Sequence, residues 1–178
     1  MKFTETPVEG AYVIEMKPIQ DERGFFARTW CRTELEEQGL NAALEQINLG
    51  FSTKAHTLRG LHFQGAPHAE VKLVSCPRGS VFDVVADLRP ESSTYLKWHG
   101  VELSLGNGRM LYVPEGCAHG YLTLEADTVL VYNTSKKYAP DVASGVAWND
   151  PALGIVWPAQ PAVISDADRG WPSLEHAK

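Results

Sequence analysis

Hydrophobic and polar residues alternate in short runs along most of the chain. The runs recur roughly every 8–12 residues, which is the rhythm of an antiparallel sandwich or barrel. Strands are predicted over Ala11–Met16, Gly24–Trp30, Glu45–Ser52, Thr57–Phe63, Val71–Ser75, Ser80–Leu88, Leu96–Leu105, Arg109–Val113, His119–Thr123 and Thr128–Thr134. Turn-forming sequences fall between them, as in Cys76-Pro77-Arg78-Gly79, Arg89-Pro90-Glu91-Ser92-Ser93, Gly106-Asn107-Gly108 and Pro114-Glu115-Gly116. One short helix is expected over Glu34–Gln38, because Thr33 and Glu36 have capping-box spacing and Gly39 can take the left-handed position that ends a helix. After Pro158 the alternation stops, so the tail from about residue 159 is expected to wrap around the sandwich. No repeat or low-complexity linker interrupts the chain, and one domain over residues 1–178 is expected.

Composition narrows the functional classes. A chain of 178 residues can bury roughly two-thirds of its unfolded surface without a disulfide or metal. Its net charge of -6 and the lack of a basic run interleaved with aromatics argue against a nucleic-acid partner. A few cations converging in one pocket could still hold an anionic small molecule such as a diphosphate. Cys31, Cys76 and Cys117 are odd in number and lack C-x-x-C spacing, so they read as reduced structural residues. The first residues contain no apolar signal region, and no run approaches the ~18 apolar residues of a membrane span. A cytoplasmic protein is the default expectation.

The candidate chemistry centres on Arg59-Gly60-Leu61-His62-Phe63-Gln64, where a histidine stands inside a strand pattern. It reads either as a satisfied core residue or as a proton carrier, since histidine titrates near neutrality. Gly108, Pro114, Gly116 and His119 form G-x5-P-x-G-x2-H, which resembles the second motif of the cupin superfamily of small β-barrels. Metal-binding cupins would pair that histidine with H-x-H and a carboxylate. Here the pair is His62-x-Gln64, glutamine is a poor transition-metal ligand, and Glu70 follows at an awkward distance. A catalytic metal is therefore not expected. His68 reads as a solvent-facing turn residue, while His56, His99 and His176 have no supporting context.

The remaining polar residues suit proton transfer beside a carbonyl, which needs a base, an oxyanion stabiliser and an acid on the opposite face. His62 is the candidate base. Lys72, in Val71-Lys72-Leu73-Val74, is either an enolate-stabilising cation or a snorkelling edge lysine. Tyr132 could donate a phenolic proton or simply pack, and Tyr138 is a second phenol nearby. Asp168 could orient His62 if the tail folds back, with Asp166 competing for that role.

Taken with Arg23-Gly24-Phe25-Phe26, Gln46-Ile47-Asn48, Phe82-Asp83-Val84, Asp87-Leu88-Arg89, Val113-Pro114-Glu115-Gly116, Ala118-His119-Gly120 and Trp148-Asn149-Asp150-Pro151, these segments resemble the dTDP-4-dehydrorhamnose 3,5-epimerase family over nearly the whole chain. The resemblance implies an all-β, metal-free and cofactor-free cupin-type jelly roll with a few short peripheral helices, usually a homodimer, acting on nucleoside-diphosphate 4-keto-6-deoxy sugars. It implies His62 as the base, Asp168 as its dyad partner, Lys72 as the enolate cation and Tyr132 as the acid. Arg23, Phe26, Arg28, Gln46, Asn48, Arg59 and His119 match positions that contact substrate.

Three positions depart from the family pattern. Arg28 and Ala143 stand where glutamate is usual, and Ala167 where lysine is typical. The proton-transfer set is complete while the recognition set is altered, so the nucleotide or sugar is expected to differ from dTDP-4-keto-6-deoxyglucose. Two other classes remain at this stage. A metal-dependent cupin enzyme would carry stoichiometric metal, and a catalytically silent sugar-nucleotide-binding protein would tolerate His62→Ala.

Overall fold

In the computed structural model, which describes residues 1–174, the alternating runs assemble into two packed sheets. One sheet has the order β1 (Lys2–Glu5), β2 (Tyr12–Glu15), β10 (Arg109–Val113), β7 (Lys72–Arg78), β12 (Thr128–Thr134) and β5 (Gln46–Ser52). The other has β13 (Ala143–Gly145), β6 (Thr57–Gln64), β11 (Cys117–Thr123), β8 (Ser80–Asp87) and β9 (Trp98–Ser104). A further strand, β14 (Val163–Ile164), pairs with β6 in parallel, and β3 (Ile19–Asp21) and β4 (Gly24–Phe26) form a separate hairpin. This is the antiparallel sandwich expected from the pattern, in the jelly-roll class that the resemblance implies. The shared core is built by Val74, Leu111, Val113 and Leu130 of the first sheet against Val81, Val85, Val101 and Leu103 of the second. Alternation explains why these residues meet, since every second side chain on a strand faces inward.

Several boundaries differ from the expected ones. The strand expected over Gly24–Trp30 stops at Phe26, because the β3–β4 hairpin pairs with no other strand among the described residues and all six of its residues are exposed. Trp30 instead packs on a side cluster with Leu35 and Tyr112. β7 runs on through Pro77 to Arg78, where a turn was expected. Its register against β12 shifts between Val129 and Val131, and such a bulge tolerates a residue without an N–H. Only Gly79 makes the turn, with φ +75 and the side chain of Thr128 filling the space a Cβ would need.

The first helix, α1 (Arg32–Glu36), starts before Thr33. Its N-cap is Cys31 and no side chain caps it, so the expected Thr33 box does not form. Burial of Leu35 sets the position of the turn, and Gly39 ends it in the left-handed conformation with φ +72. The second helix, α2 (Asp166–Arg169), was not expected. Ser165 caps it by accepting from the Asp168 N–H at 3.0 Å. Together, β14 and α2 lay the tail along β6. His176 lies outside the described residues.

Candidate active site

Between the sheets opens a cavity of about 650 Å³, adjoined by a recess of about 250 Å³. Strands from both sheets supply the walls. Gln46 and Asn48 come from β5, His62 and Gln64 from β6, Lys72 from β7, and Tyr132 and Thr134 from β12. His62, Lys72 and Tyr132 line both spaces, while Arg59, His119 and Tyr121 line only the recess.

Close packing of β6 on β11 aligns the two histidines. Gly60 has φ +133, and a Cβ there would lie 2.5 Å from the Gly120 Cα, so the backbones can approach only with glycine at this point. The register shifts between His119 and Tyr121, and His119 then pairs directly with His62.

His62 Nε2 lies 2.5 Å from Asp168 Oδ1, a contact that joins residues 106 apart in sequence. The same carboxylate oxygen accepts from Trp171 Nε1 at 3.3 Å, and the Trp171 ring stands edge-on to the imidazole. Gly145 leaves room for that indole, since a Cβ there would come within 2.4 Å of it. Burial pushes the Asp168 carboxyl up, but bonds to His62, Ser165 and Trp171 outweigh it and hold the group below the usual carboxylate range. An ionised Asp168 requires hydrogen on Nε2, so Nδ1 is the nitrogen left to accept a proton. Asp166, two residues earlier, is exposed, and it is Asp168 that pairs with His62.

Lys72 is buried and does not snorkel to solvent. Its Nζ donates to the His62 carbonyl at 3.2 Å and pairs with Glu70 Oε1 at 3.2 Å. Burial lowers its pKa, while Glu70 and then Asp83 pull it back up. Glu70 thus belongs to the lysine. Gln64 is likewise engaged, accepting from the Ala139 N–H at 2.7 Å and donating to the His68 carbonyl at 2.9 Å. Among the described residues no three His, Cys, Asp or Glu side chains converge as metal ligands.

His119 is held by Asp83, with Nε2 2.8 Å from Oδ1. Asp83 stood in the sequence only within a family-like segment and without a role, although a lone charge inside Ser80-Val81-Phe82-Asp83-Val84-Val85 is a readable signal. Trp171 and Tyr121 were missed as well, and strand or tail aromatics carry no such signal. Tyr138 and Ala143 both line the large cavity. Three expected substrate contacts line neither space. Arg23 sits at the tip of the β3–β4 hairpin against Asp21, Phe26 is 73% exposed on β4, and Arg28 pairs with Glu34 at 2.9 Å. Ala167 is exposed on α2.

Comparison with known proteins follows the same lines. The sequence model of the dTDP-4-dehydrorhamnose 3,5-epimerase family matches residues 5–176. The dTDP-4-dehydrorhamnose 3,5-epimerase of Methanothermobacter thermautotrophicus is 41% identical over 176 residues, covering 97% of this chain and 94% of its own. The crystal structure of the Elizabethkingia anophelis enzyme of that name superimposes with TM-score 0.94 at 39% identity, covering 98% of this chain and 97% of that one. The Bacillus anthracis enzyme, solved with TDP and PPi bound, has TM-score 0.94 at 41% identity and covers 97% and 99% of the two chains. With matches of this extent in sequence and in fold, the chain belongs to the dTDP-4-dehydrorhamnose 3,5-epimerase family.

Proposed function

We propose that the protein inverts C3 and C5 of a nucleoside-diphosphate 4-keto-6-deoxy sugar by removing a proton on one face and returning one on the other. The observation that carries this reading is the facing of His62, backed by Asp168, with Lys72 and Tyr132 across one cavity. The C4 ketone acidifies the hydrogens on its neighbours. Nδ1 of His62 takes one of them, and Asp168 stabilises the imidazolium that results. Negative charge then grows on the C4 oxygen, and the buried Lys72 ammonium opposes it where water screens weakly. Tyr132, on the opposite sheet, returns a proton to the other face. Without that donor, His62 would restore the original configuration.

Gln46, Asn48 and Arg59 supply polar contacts, with Arg59 able to grip phosphate oxygens in two-point fashion. Ala143 leaves that part of the wall without a charge. The decisive experiment is incubation in deuterium oxide with dTDP-, CDP- and GDP-linked 4-keto-6-deoxy sugars. Deuterium should enter C3 and C5 of one or more, and exchange at neither carbon with all three would sink the proposal.

The partner is a second copy of the chain. β5 directs its polar Gln46 and Asn48 into the large cavity and leaves Ile47 64%, Leu49 67% and Phe51 45% exposed. Ile19 and Phe26 add 71% and 73% exposed apolar side chains on the hairpin. Apolar exposure of this kind on a sheet-edge strand and on a separate hairpin favours an interface. A dimer would also give Arg23, Phe26 and Arg28 a route to substrate, through the cavity of the other copy. Sedimentation of the full chain should return twice the monomer mass. No helix among the described residues is long and apolar enough to cross a membrane, and three unpaired cysteines suit the reducing cytoplasm.

A further inference from the structure

Asp83 lies at the centre of β8 with no solvent exposure, among Val81, Val84 and Val85, which are equally inaccessible. Oδ1 meets His119, but Oδ2 has no hydrogen-bond partner among the described residues. A buried carboxylate with a bare oxygen is a poor device for stability, because its desolvation is only partly offset. An apolar residue would fit the surrounding valines better. The position of the pair suggests what the carboxylate does instead. His119 stands directly across from His62, and its ring lines the recess that His62, Lys72 and Tyr132 share.

We propose that Asp83 is a positioning residue that makes His119 a hydrogen-bond donor to the C4 oxygen as it becomes an enolate. This inference rests on the epimerase reading above. Asp83 occupies Nε2, so Nδ1 is the ring nitrogen left for substrate. The carboxylate's negative charge lets the ring hold hydrogen on both nitrogens when an anionic oxygen forms beside it. Charged and titratable groups also face the pair from the packed strands: Arg59 and His62 on β6, Lys72 and Cys76 on β7, Tyr121 on β11 and Tyr132 on β12. Lys72 is the one that could mimic the effect, since Asp83 acts on its charge as well.

The test compares Asp83→Asn, His119→Gln and the double variant, measuring turnover, KM and thermal stability with whichever sugar nucleotide the wild-type protein converts. Asparagine keeps an acceptor for Nε2–H and removes only the charge. Asp83→Asn should lower kcat on the order of tenfold to a hundredfold, about the worth of one charge-assisted hydrogen bond, with KM changed less than about twofold. Its Tm should stay level or rise. The double variant should be no slower than His119→Gln, because both changes break one interaction. Wild-type kcat in Asp83→Asn overturns the proposal, as do a loss confined to KM, a fall in Tm matching the fall in rate, or losses that multiply in the double variant. Multiplying losses would assign the charge to Lys72. If the wild type turns over none of the sugars, the epimerase reading fails first.

Discussion

His62 and His119 lie opposite each other on neighbouring strands, and each presents Nε2 to an aspartate, yet the two carboxylates are driven in opposite directions. Asp168 gathers bonds from His62, Ser165 and Trp171 and is held below the usual range despite burial. Asp83 is wholly enclosed, and burial pushes it up against the pull of His119 and Lys72. Burial works on both; the number of donors decides whether it wins. The result is two similar pairs suited to different work. An ionised Asp168 can support a histidine that accepts a proton, whereas Asp83 sits where charge is costly and depends on neighbouring cations.

The largest effect should come from removing the open pair's base. His62→Ala should cut deuterium exchange at C3 and C5 by on the order of a hundredfold to ten-thousandfold, while calorimetric affinity for the nucleoside diphosphate of the converted sugar stays within a few-fold. Asp168→Asn should cost less, about a hundredfold in turnover, by weakening the imidazolium and unsettling its tautomer.

The same variant tests the pH argument. Asp168 has a lowered folded value, so its contribution to stability is complete above the unfolded carboxylate value of about 3.9 and is lost as pH falls through the folded value. The Tm gap between wild type and Asp168→Asn should therefore narrow below about pH 4. A gap that stays constant to acid would mean the pair does not stabilise through charge.

Trp171→Phe keeps an aromatic ring beside His62 and deletes one donor to Asp168. Turnover should fall a few-fold, because the weakest of the supporting bonds is removed. The smallest effect concerns burial without donors. Cys76 and Cys117 have thiols pushed up by burial, to about 11 and about 12, so a thiol reagent at about pH 8 should label Cys31 alone in the folded protein. Rapid labelling of the other two would show that burial does not govern this interior.

Much of the barrel could be read along the chain because strand alternation is local. Arg109–Val113 and Thr128–Thr134 fall where the pattern puts them. The strand over Gly24–Trp30 was overrun because an exposed hairpin and a core strand share a composition, and only the latter has partners. Spacing alone did not separate Asp168 from its competitor Asp166, and the family resemblance favoured Asp168. On α2 residues two apart do not share a face, so only one can turn to His62. Asp83 was visible as a charge among valines, but not the imidazole it would meet.

The order of residues alone carries the all-β class, the histidine in β6, the cation in β7 and the phenol in β12, since each follows from spacing within a few residues. Pairing was decided in three dimensions. A contact across 106 residues joins His62 to Asp168, a close approach of two glycines sets His119 against His62, and Asp83 Oδ2 meets no donor among the described residues. Proton affinity depends on the surroundings a side chain acquires on folding, and the two aspartates differ only in those.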